Sequence, residues 1–427
     1  MNILKILCVF IFSTSVFAIN VEETIKSTIE KNPKVKIALE KLNESKELII
    51  FSKGLKLPTV TGKISGVYKN ADTTTSTTST TPETFTDSYK LTVSKNLYDA
   101  GINNLDLESS KILFNNELIN FQLTIQDLIL VAIEGYLTVI NNEKSLEANK
   151  KNYDSISKAY QEINTRFETG TATLYDVQEA EASFAIAKTN LYAAEQNFLI
   201  SKQGFKRIVG LSANNLDDSV LVKKQTQLKE ITNNALNNNL NLILISNNIK
   251  SKEILILKEK KNKMPTLDLT GTGLYSNGSR IEKGSETTSG SIDLTLTIPL
   301  FQKSQQNSNI RKYRSQMLQS EISFQDYSDD LRILILNTYK DFKISESKMK
   351  SNKVVIKSIE TALKSLNEEY SLGTKTIKDL VEQEEKLLNA NVNFLNSKKE
   401  YLLNYFEIKS LDGSLIKLFD KYLPSIN

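Results

Sequence analysis

The second half of the chain repeats the first at a spacing of 203 residues. Gly170-Thr171-Ala172-Thr173-Leu174-Tyr175-Asp176-Val177 is answered by Gly373-Thr374-Lys375-Thr376-Ile377-Lys378-Asp379-Leu380, and the same 203-residue offset joins Leu97-Tyr98 to Leu300-Phe301, Tyr136 to Tyr339, Asn190 to Asn393 and Gly210 to Gly413. Pro58 and Pro265 are 207 apart instead, and the four extra residues fall in a loop of unequal length. A unit of about 200 residues is too long for a solenoid repeat, so the chain reads as two similar halves of one domain.

Each half carries the same order of elements. A helical stretch (Glu22 to Phe51; Leu228 to Lys261) is followed by two short alternating segments. A very long helical stretch comes next (Ile102 to Phe167; Gln305 to Tyr370). A Gly-Thr turn then leads into a last helix (Leu174 to Val209; Ile377 to Leu411). Only 15 Gly and 6 Pro occur in 427 residues, which leaves long helices uninterrupted. Phe121, Ile125, Leu128, Ala132, Tyr136 and Val139 form an apolar stripe at three- and four-residue spacing, and Leu331, Ile335, Tyr339 and Phe342 continue it in the second copy. A helix over 102–167 is about 100 Å long at 1.5 Å per residue. Such a rod must pack against other helices along its length, as a coiled coil or a helical barrel. Asn233 to Asn248 is Asn-rich but interleaved with Leu and Ile, and reads as helix.

The missing residue types exclude chemistry. There is no His and only one Cys, Cys8, so neither a His-activated nucleophile nor the usual tetrahedral zinc site can form. No Gly-rich phosphate-binding run is present. The chain reads as a non-enzyme without metal or cofactor. Its net charge of +4 shows no basic stripe for nucleic acid. Met1 to Ala18 reads as an export leader: Lys5, then the apolar run Ile6 to Phe17, then a small-residue cleavage site at Val16-Phe17-Ala18. Only Ile6 and Leu7 separate Cys8 from Lys5, too short an apolar core for a lipid anchor. The longest later apolar run, Leu128 to Ile133, is stopped by Asp127 and Glu134, so no inner-membrane helix is expected after cleavage.

The short segments alternate with period two. Val60, Ile64 and Tyr68 oppose Thr61, Lys63 and Ser65. Tyr89, Leu91 and Val93 oppose Lys90, Thr92 and Ser94. Leu267, Leu269 and Tyr275 oppose Thr266, Asp268, Thr270 and Thr272. Ile292, Leu294, Leu296, Ile298 and Leu300 oppose Ser291, Asp293, Thr295 and Thr297. Each segment is about ten residues, the length of a tilted transmembrane strand, with an apolar outside and a polar inside. The same alternation suits a soluble sheet with one wet face. The intervening segments, Ala71 to Asp87 and Ser276 to Gly290, are polar and read as flexible outer loops. Four strands do not close a barrel with a lumen, and open edges are not tolerated in lipid, so a membrane sheet must be pooled by two, three or four chains.

At this point the chain resembles the TolC-type outer membrane efflux and secretion factors over almost its whole mature length. The pieces that carry the resemblance are Arg166-Phe167-Glu168-Thr169-Gly170-Thr171-Ala172-Thr173 with Asp176-Val177, and Tyr370-Ser371-Leu372-Gly373-Thr374-Lys375-Thr376 with Asp379-Leu380. Leu57-Pro58, Leu97-Tyr98-Asp99-Ala100-Gly101 and Ile298-Pro299-Leu300-Phe301 add to them. The resemblance implies a mainly α fold with a small β part: a long α-helical barrel continuous with a transmembrane β-barrel shared between protomers, four strands per chain, in a homotrimer. It implies an outer-membrane exit duct with a long periplasmic extension, working with a periplasmic adaptor (a membrane fusion protein) and an inner-membrane transporter of the RND, ABC or related type. The expected division is a leader at 1–18, a first repeat at 19–210, a connection at 211–221, a second repeat at 222–413 and a C-terminal tail at 414–427, with 212–227 and the tail forming a belt around the tunnel.

By matching motif, Asp176 and Gln178 at the first tip and Tyr370, Lys375, Asp379 and Glu382 at the second fall on the family's periplasmic aperture. The resemblance has Lys375 bond Asp176 or Tyr370 to hold the mouth closed, with Asp379 and Glu382 ringing it. The family often carries Arg at the position of Lys375, and Lys makes no planar bidentate contact, so a weaker latch is expected. Glu382 replaces a shorter carboxylate. The turns Glu168-Thr169-Gly170-Thr171 and Ser371-Leu372-Gly373-Thr374 would meet the adaptor. Thr173-x-x-Asp176 and Thr376-x-x-Asp379 also resemble a helix capping box with Asp for the usual Glu, and Gly170 and Gly373 suit a left-handed helix end. That reading accounts for both aspartates without an aperture. Glu382 has no capping part, and Glu179, its partner by repeat, reads as a solvated residue. Two rivals to a duct are an exported soluble coiled-coil scaffold of the periplasm and a carboxylate-based hydrolase, for which no converging acids are visible.

Overall fold

A computed structural model of the chain describes residues 18–70, 73–75, 78–80, 83–220, 222, 227–278, 285–301 and 304–424. The expected leader therefore lies, but for Ala18, outside the described residues. The chain divides into two compact units: Met1–Ala38 with Phe121–Leu240 and Ser328–Asn427, and Leu39–Asn120 with Asn241–Tyr327. Each unit draws on both sequence repeats.

The element order follows the repeat. The first copy gives α1 (Val21–Lys31), α2 (Pro33–Gly54), β1 (Thr59–Asn70), β2 (Thr73–Thr75), β3 (Thr78–Thr80), β4 (Glu83–Tyr98), α3 (Ile102–Glu168) and α4 (Leu174–Val209). The second gives α5 (Leu228–Asn238), α6 (Leu240–Lys261), β5 (Thr266–Gly278), β6 (Ser285–Thr297), α7 (Gln305–Ser371) and α8 (Ile377–Leu411), with a short α9 (Leu415–Leu418) after it. Helices α3 and α7 run 67 residues each. Neither contains Pro, and Gly135 is the single glycine between them, so nothing interrupts the backbone ladder. α3 starts at Asp99, whose carboxylate accepts from the backbone N–H of Gly101 (2.8 Å) and Asn103 (2.6 Å).

The stretches expected as single helices, 22–51 and 228–261, are each broken once. The breaks fall at Asn32 and Asn239, whose backbones are extended (φ −69°, ψ 126°; φ −65°, ψ 124°). The two asparagines are repeat partners at the 207-residue offset. Asn32 donates from Nδ2 to the Ile208 carbonyl (3.0 Å), and Asn239 to that of Leu411 (3.2 Å). Each side chain thus ties a broken helix to the end of the last helix of its own repeat. Pro33 explains the first break. Asn239 makes the second without a proline.

In the first unit the stripe on α3 is buried along its length: Phe121, Ile125, Leu128, Ala132, Tyr136 and Val139. Its partner on α7 buries Leu331, Ile335 and Phe342, but leaves Tyr339 half-exposed. Tyr136 packs on Phe205, ring centroids 6.4 Å apart. Its hydroxyl donates to the Asp217 carbonyl and lies 3.1 Å from that of Ile19. Ile19 and Leu216 form a parallel bridge, with Ile19 N–H to Asn215 O at 3.0 Å and Asp217 N–H to Ile19 O at 3.0 Å. Tyr136 therefore fastens the segment at Ile19 to the stretch 215–217 between the repeats. Burial, with the charges of Asp217 and Asp218, holds its phenol protonated well above the usual range. One window of α3 is apolar enough by length and composition to cross a membrane, although no uninterrupted apolar run there is long enough. Just over half of that window is buried in the protein, which is the position of a core helix.

The second unit holds an antiparallel sheet in the order β1-β4-β5-β6. The register puts Ile64, Tyr89 and Tyr275 in one row, Val60, Val93, Gly271 and Ile292 in another, and Leu269 with Leu294 in a third. The apolar residues of all four strands thus share one face. That face is exposed: Ile64 is 78% accessible, Ile292 84% and Leu294 63%. The strands run 12, 16, 13 and 13 residues, longer than the alternating segments suggested. The segment expected as a flexible loop from Ala71 to Asp87 is partly strand: β4 begins at Glu83, paired with Asn70, and β2 pairs with β3. Thr-rich backbone suits extended structure, and the polar composition hid it.

Face and residue type are separable here. Ile292→Lys places a cation on the apolar face, costing about 2–4 kcal/mol at a bilayer midplane. Ser291→Lys places one on the other face. Resistance to salt extraction from the membrane and heat resistance of the assembly should fall for Ile292→Lys alone.

Candidate functional site

The two helix–turn–helix ends of the first unit are built alike. At the C-terminus of α3, Gly170 is left-handed (φ 77°), its N–H bonds Phe167 O (3.0 Å), and Thr171 N–H bonds Arg166 O (2.8 Å). At the C-terminus of α7, Gly373 is left-handed (φ 78°), with Gly373 N–H to Tyr370 O (3.0 Å) and Thr374 N–H to Glu369 O (3.0 Å). Each helix end therefore has its last carbonyls satisfied in the same way. The following helices start on capping boxes. Thr173 Oγ1 accepts from Asp176 N–H (3.2 Å) while the Asp176 carboxylate accepts from Thr173 N–H (2.9 Å) and hydroxyl (2.7 Å). Thr376 and Asp379 repeat this at 3.3, 3.0 and 2.8 Å. The bonds hold both carboxyls below the usual range, through the Thr173 hydroxyl first for Asp176 and the Thr376 backbone first for Asp379. Asp176 and Asp379 thus cap helices.

Under the turns lies an apolar core from all four helices: Ile156, Ala159 and Ile163 of α3, Val177, Ala180 and Ala187 of α4, Tyr370 of α7, and Ile377 and Val381 of α8. Tyr160 stacks on Phe184 at 5.3 Å beside it. Tyr370 is buried with its ring under Arg166 (4.8 Å to the centroid), and its hydroxyl donates to Glu162 Oε1 (2.8 Å). Arg166 bonds the same oxygen at 2.7 Å. Burial first, then Glu162, pushes the Tyr370 phenol up to about 12. Across the pair of short-turn helices, Lys378 of α8 bonds Glu179 of α4 at 2.8 Å. A cavity of about 240 Å³ opens there, lined by Asp176, Glu179, Ser183, Lys378, Glu382 and Glu385.

The structure brings Asp176 and Glu382 to this cavity, with Asp379 one turn from Glu382 on the same helix. Gln178 is exposed and donates to Glu181 at 3.3 Å. Lys375 is exposed and forms no hydrogen bond or ion pair among the described residues. Within the chain, Tyr370 is engaged with Glu162 and Asp176 with Thr173, so neither bonds Lys375. In the turns, Glu168, Thr169, Gly170, Thr171, Ser371, Leu372, Gly373 and Thr374 are all exposed. Leu372 stands out at 78% accessible. Glu179, expected to be solvated, is instead half-buried in the Lys378 pair. Glu162 and Lys378 were missed. The i,i+4 spacing of Glu162 and Arg166 was the available signal for the first.

A family model described as outer membrane efflux protein matches residues 24–211 and again 231–414. The chain belongs to the outer membrane efflux protein family. The two matched segments are offset by 207 residues at their starts and 203 at their ends, as in the internal repeat. The chain is 24% identical to the outer membrane protein TolC of Escherichia coli over 315 residues, 70% of this chain and 63% of that protein. It is 20% identical over 304 residues to the alkaline protease secretion protein AprF of Pseudomonas aeruginosa, covering 68% of this chain and 62% of that one. These matches thus span less than two thirds of either relative. The fold is that of the outer membrane channel CmeC of Campylobacter jejuni: TM-score 0.79 at 16% identity, over 95% of this chain and 90% of that one. The family consists of outer-membrane channels, and its members carry long periplasmic helices below a membrane sheet. This chain is an outer-membrane protein.

Because the folded Tyr370 holds its proton up to about 12 against an ordinary 10.0, its contribution to tip stability is complete below pH 10 and is lost as pH rises from 10 to 12. Hydrogen exchange of the amides around 159–163 should accelerate over that interval in the parent protein. In Tyr370→Phe the pH-dependent part of that acceleration should be smaller.

Proposed function

We propose that three copies of the chain form an exit duct in the outer membrane, a passive conduit fed by a periplasmic adaptor and an inner-membrane transporter of the RND, ABC or related type. The observation that carries this reading is the sheet: one exposed face that gathers the apolar residues of all four strands, and outer edges on β1 and β6 without a partner strand among the described residues. Hydrocarbon satisfies the first and forbids the second, so strands from several chains must close a barrel. A soluble periplasmic scaffold would leave that face in water. The polar face then lines the lumen, and the energy for transport comes from the transporter.

The periplasmic mouth of the duct lies at the two tips, with Asp176, Gln178, Tyr370, Lys375, Asp379 and Glu382 around it. Lys375, which forms no hydrogen bond or ion pair among the described residues of the protomer, reaches across to a neighbour's Asp176 or to the Tyr370 hydroxyl. The paired acids Asp379 and Glu382 ring the opening. The mouth switches between closed and open arrangements of the tips, biased by the transporter and adaptor. The adaptor seats on the exposed turns, 168–171 and 371–374, where Leu372 offers an apolar contact beside the left-handed Gly373.

Planar bilayers of neutral lipid test the duct. Purified protein should give small, cation-preferring currents, and Asp379→Ala with Glu382→Ala should raise the current and weaken that preference. Protein that inserts no pore at all would overturn the reading.

A further inference from the structure

The polar face of the sheet is divided by sign along the strands. Lys63 of β1 stands directly opposite Lys90 of β4 in the ladder. Side chains so placed have Cβ atoms about 4.5–5.5 Å apart, and like charges there repel. Both lysines are exposed, and neither meets a carboxylate among the described residues. Their row continues through Leu274 and Ser289, so no acid from β5 or β6 joins it. On either side the rows consist of hydroxyl residues. Thr61, Thr92, Thr272 and Ser291 form one, and Ser65, Ser88, Ser276 and Thr287 the other. Ser65 and Ser88 hydroxyls lie 2.8 Å apart.

The acids of this face sit elsewhere and are engaged. Asp293 accepts from Ser291 (2.9 Å), and Asp268 from Asn96 (2.8 Å). Asp293 belongs to the row of Thr59, Ser94 and Thr270, four residues from Lys63 along β1. That is about 13 Å at the rise of a strand, beyond a Debye length of about 10 Å at 0.1 M salt. Within the protomer the lysines are therefore not neutralised from below. Towards the β1–β4 hairpin, Lys69 shares their face by strand alternation and adds charge of the same sign.

We propose that Lys63 and Lys90, two from each protomer, form a cationic belt in the lumen that binds multivalent anions, and that anionic cargo is handed through it on the way out. The inference rests on the duct reading, which puts the polar face inside. A pair of ammonium groups flanked by hydroxyl donors suits phosphate or carboxylate oxygens, which accept from both. The repulsion across the ladder is then relieved whenever an anion bridges the pair. The belt is separate from the acids at the periplasmic tips: those set the overall cation preference, while the lysines hold anions locally within the barrel.

Tripolyphosphate is the probe, in bilayers of neutral lipid so that no lipid phosphate competes. It should lower the current of the parent protein from one side of the bilayer, and higher KCl should weaken the effect. Lys63→Gln with Lys90→Gln should raise the half-blocking concentration about tenfold or more, as loss of one charged hydrogen bond predicts, and increase cation preference. Lys63→Arg with Lys90→Arg should keep the block. Both variants should retain the parent's heat-resistant assembly. Pores that tripolyphosphate does not block, or blocks equally in the Gln variant, overturn the belt and leave the duct standing. Absence of pores overturns both.

Discussion

Backbone N–H and C=O groups along the outer edges of β1 and β6 have no partner strand among the described residues, and hydrocarbon offers none. Each such group left bare in lipid costs several kcal/mol. On the proposed reading the apolar face demands lipid, the edges refuse it alone, and pairing with other copies reconciles the two. Oligomerisation is then a condition of the fold rather than an addition to it. It also explains why four strands suffice per chain, and why their polar face can carry lysines, aspartates and hydroxyls.

The helices answer a different constraint. Sixty-seven residues without a break gain little from propensity alone, so α3 and α7 depend on buried stripes and on anchors at a few points. The anchors are polar. Tyr136 joins Ile19 to Asp217, Asn32 joins Ile208, and Asn239 joins Leu411. At the tips, duplicated turns and capping boxes hold the helix ends, and the exposed charges around them remain available for contacts beyond the chain.

The repeat made most of this legible. It fixed the α4 and α8 boundaries to the residue, because Thr at the cap and Gly at the turn are local signals that nothing tertiary overrides. The alternation in the short segments gave the face each side chain takes, because a period of two leaves only two choices. What stayed hidden was set by contacts distant in sequence. Asn239 breaks a helix that its neighbours would continue, and its reward is a carbonyl 172 residues away. Glu162 holds Tyr370 across 208 residues. The Thr-rich start of β4 read as loop because polarity and strand propensity disagree there. The capping role of Asp176 and Asp379 was legible from spacing, whereas the engagement of Glu179 by Lys378 depends on how α4 meets α8.

Intermolecular pairing of β1 with β6 is the claim on which the account stands. In a Cys8→Ser background, which removes the one cysteine of the sequence, introduced thiols report alone. Cysteine at Thr61 or Ser65 of β1, combined with cysteine at Ser291 or Thr295 of β6, should oxidise in outer membranes to covalent dimers and a closed trimer on non-reducing gels in at least one combination, since neighbouring strands bring Cβ atoms within disulfide range. Monomer alone in every combination, from protein that has reached the membrane, would contradict it.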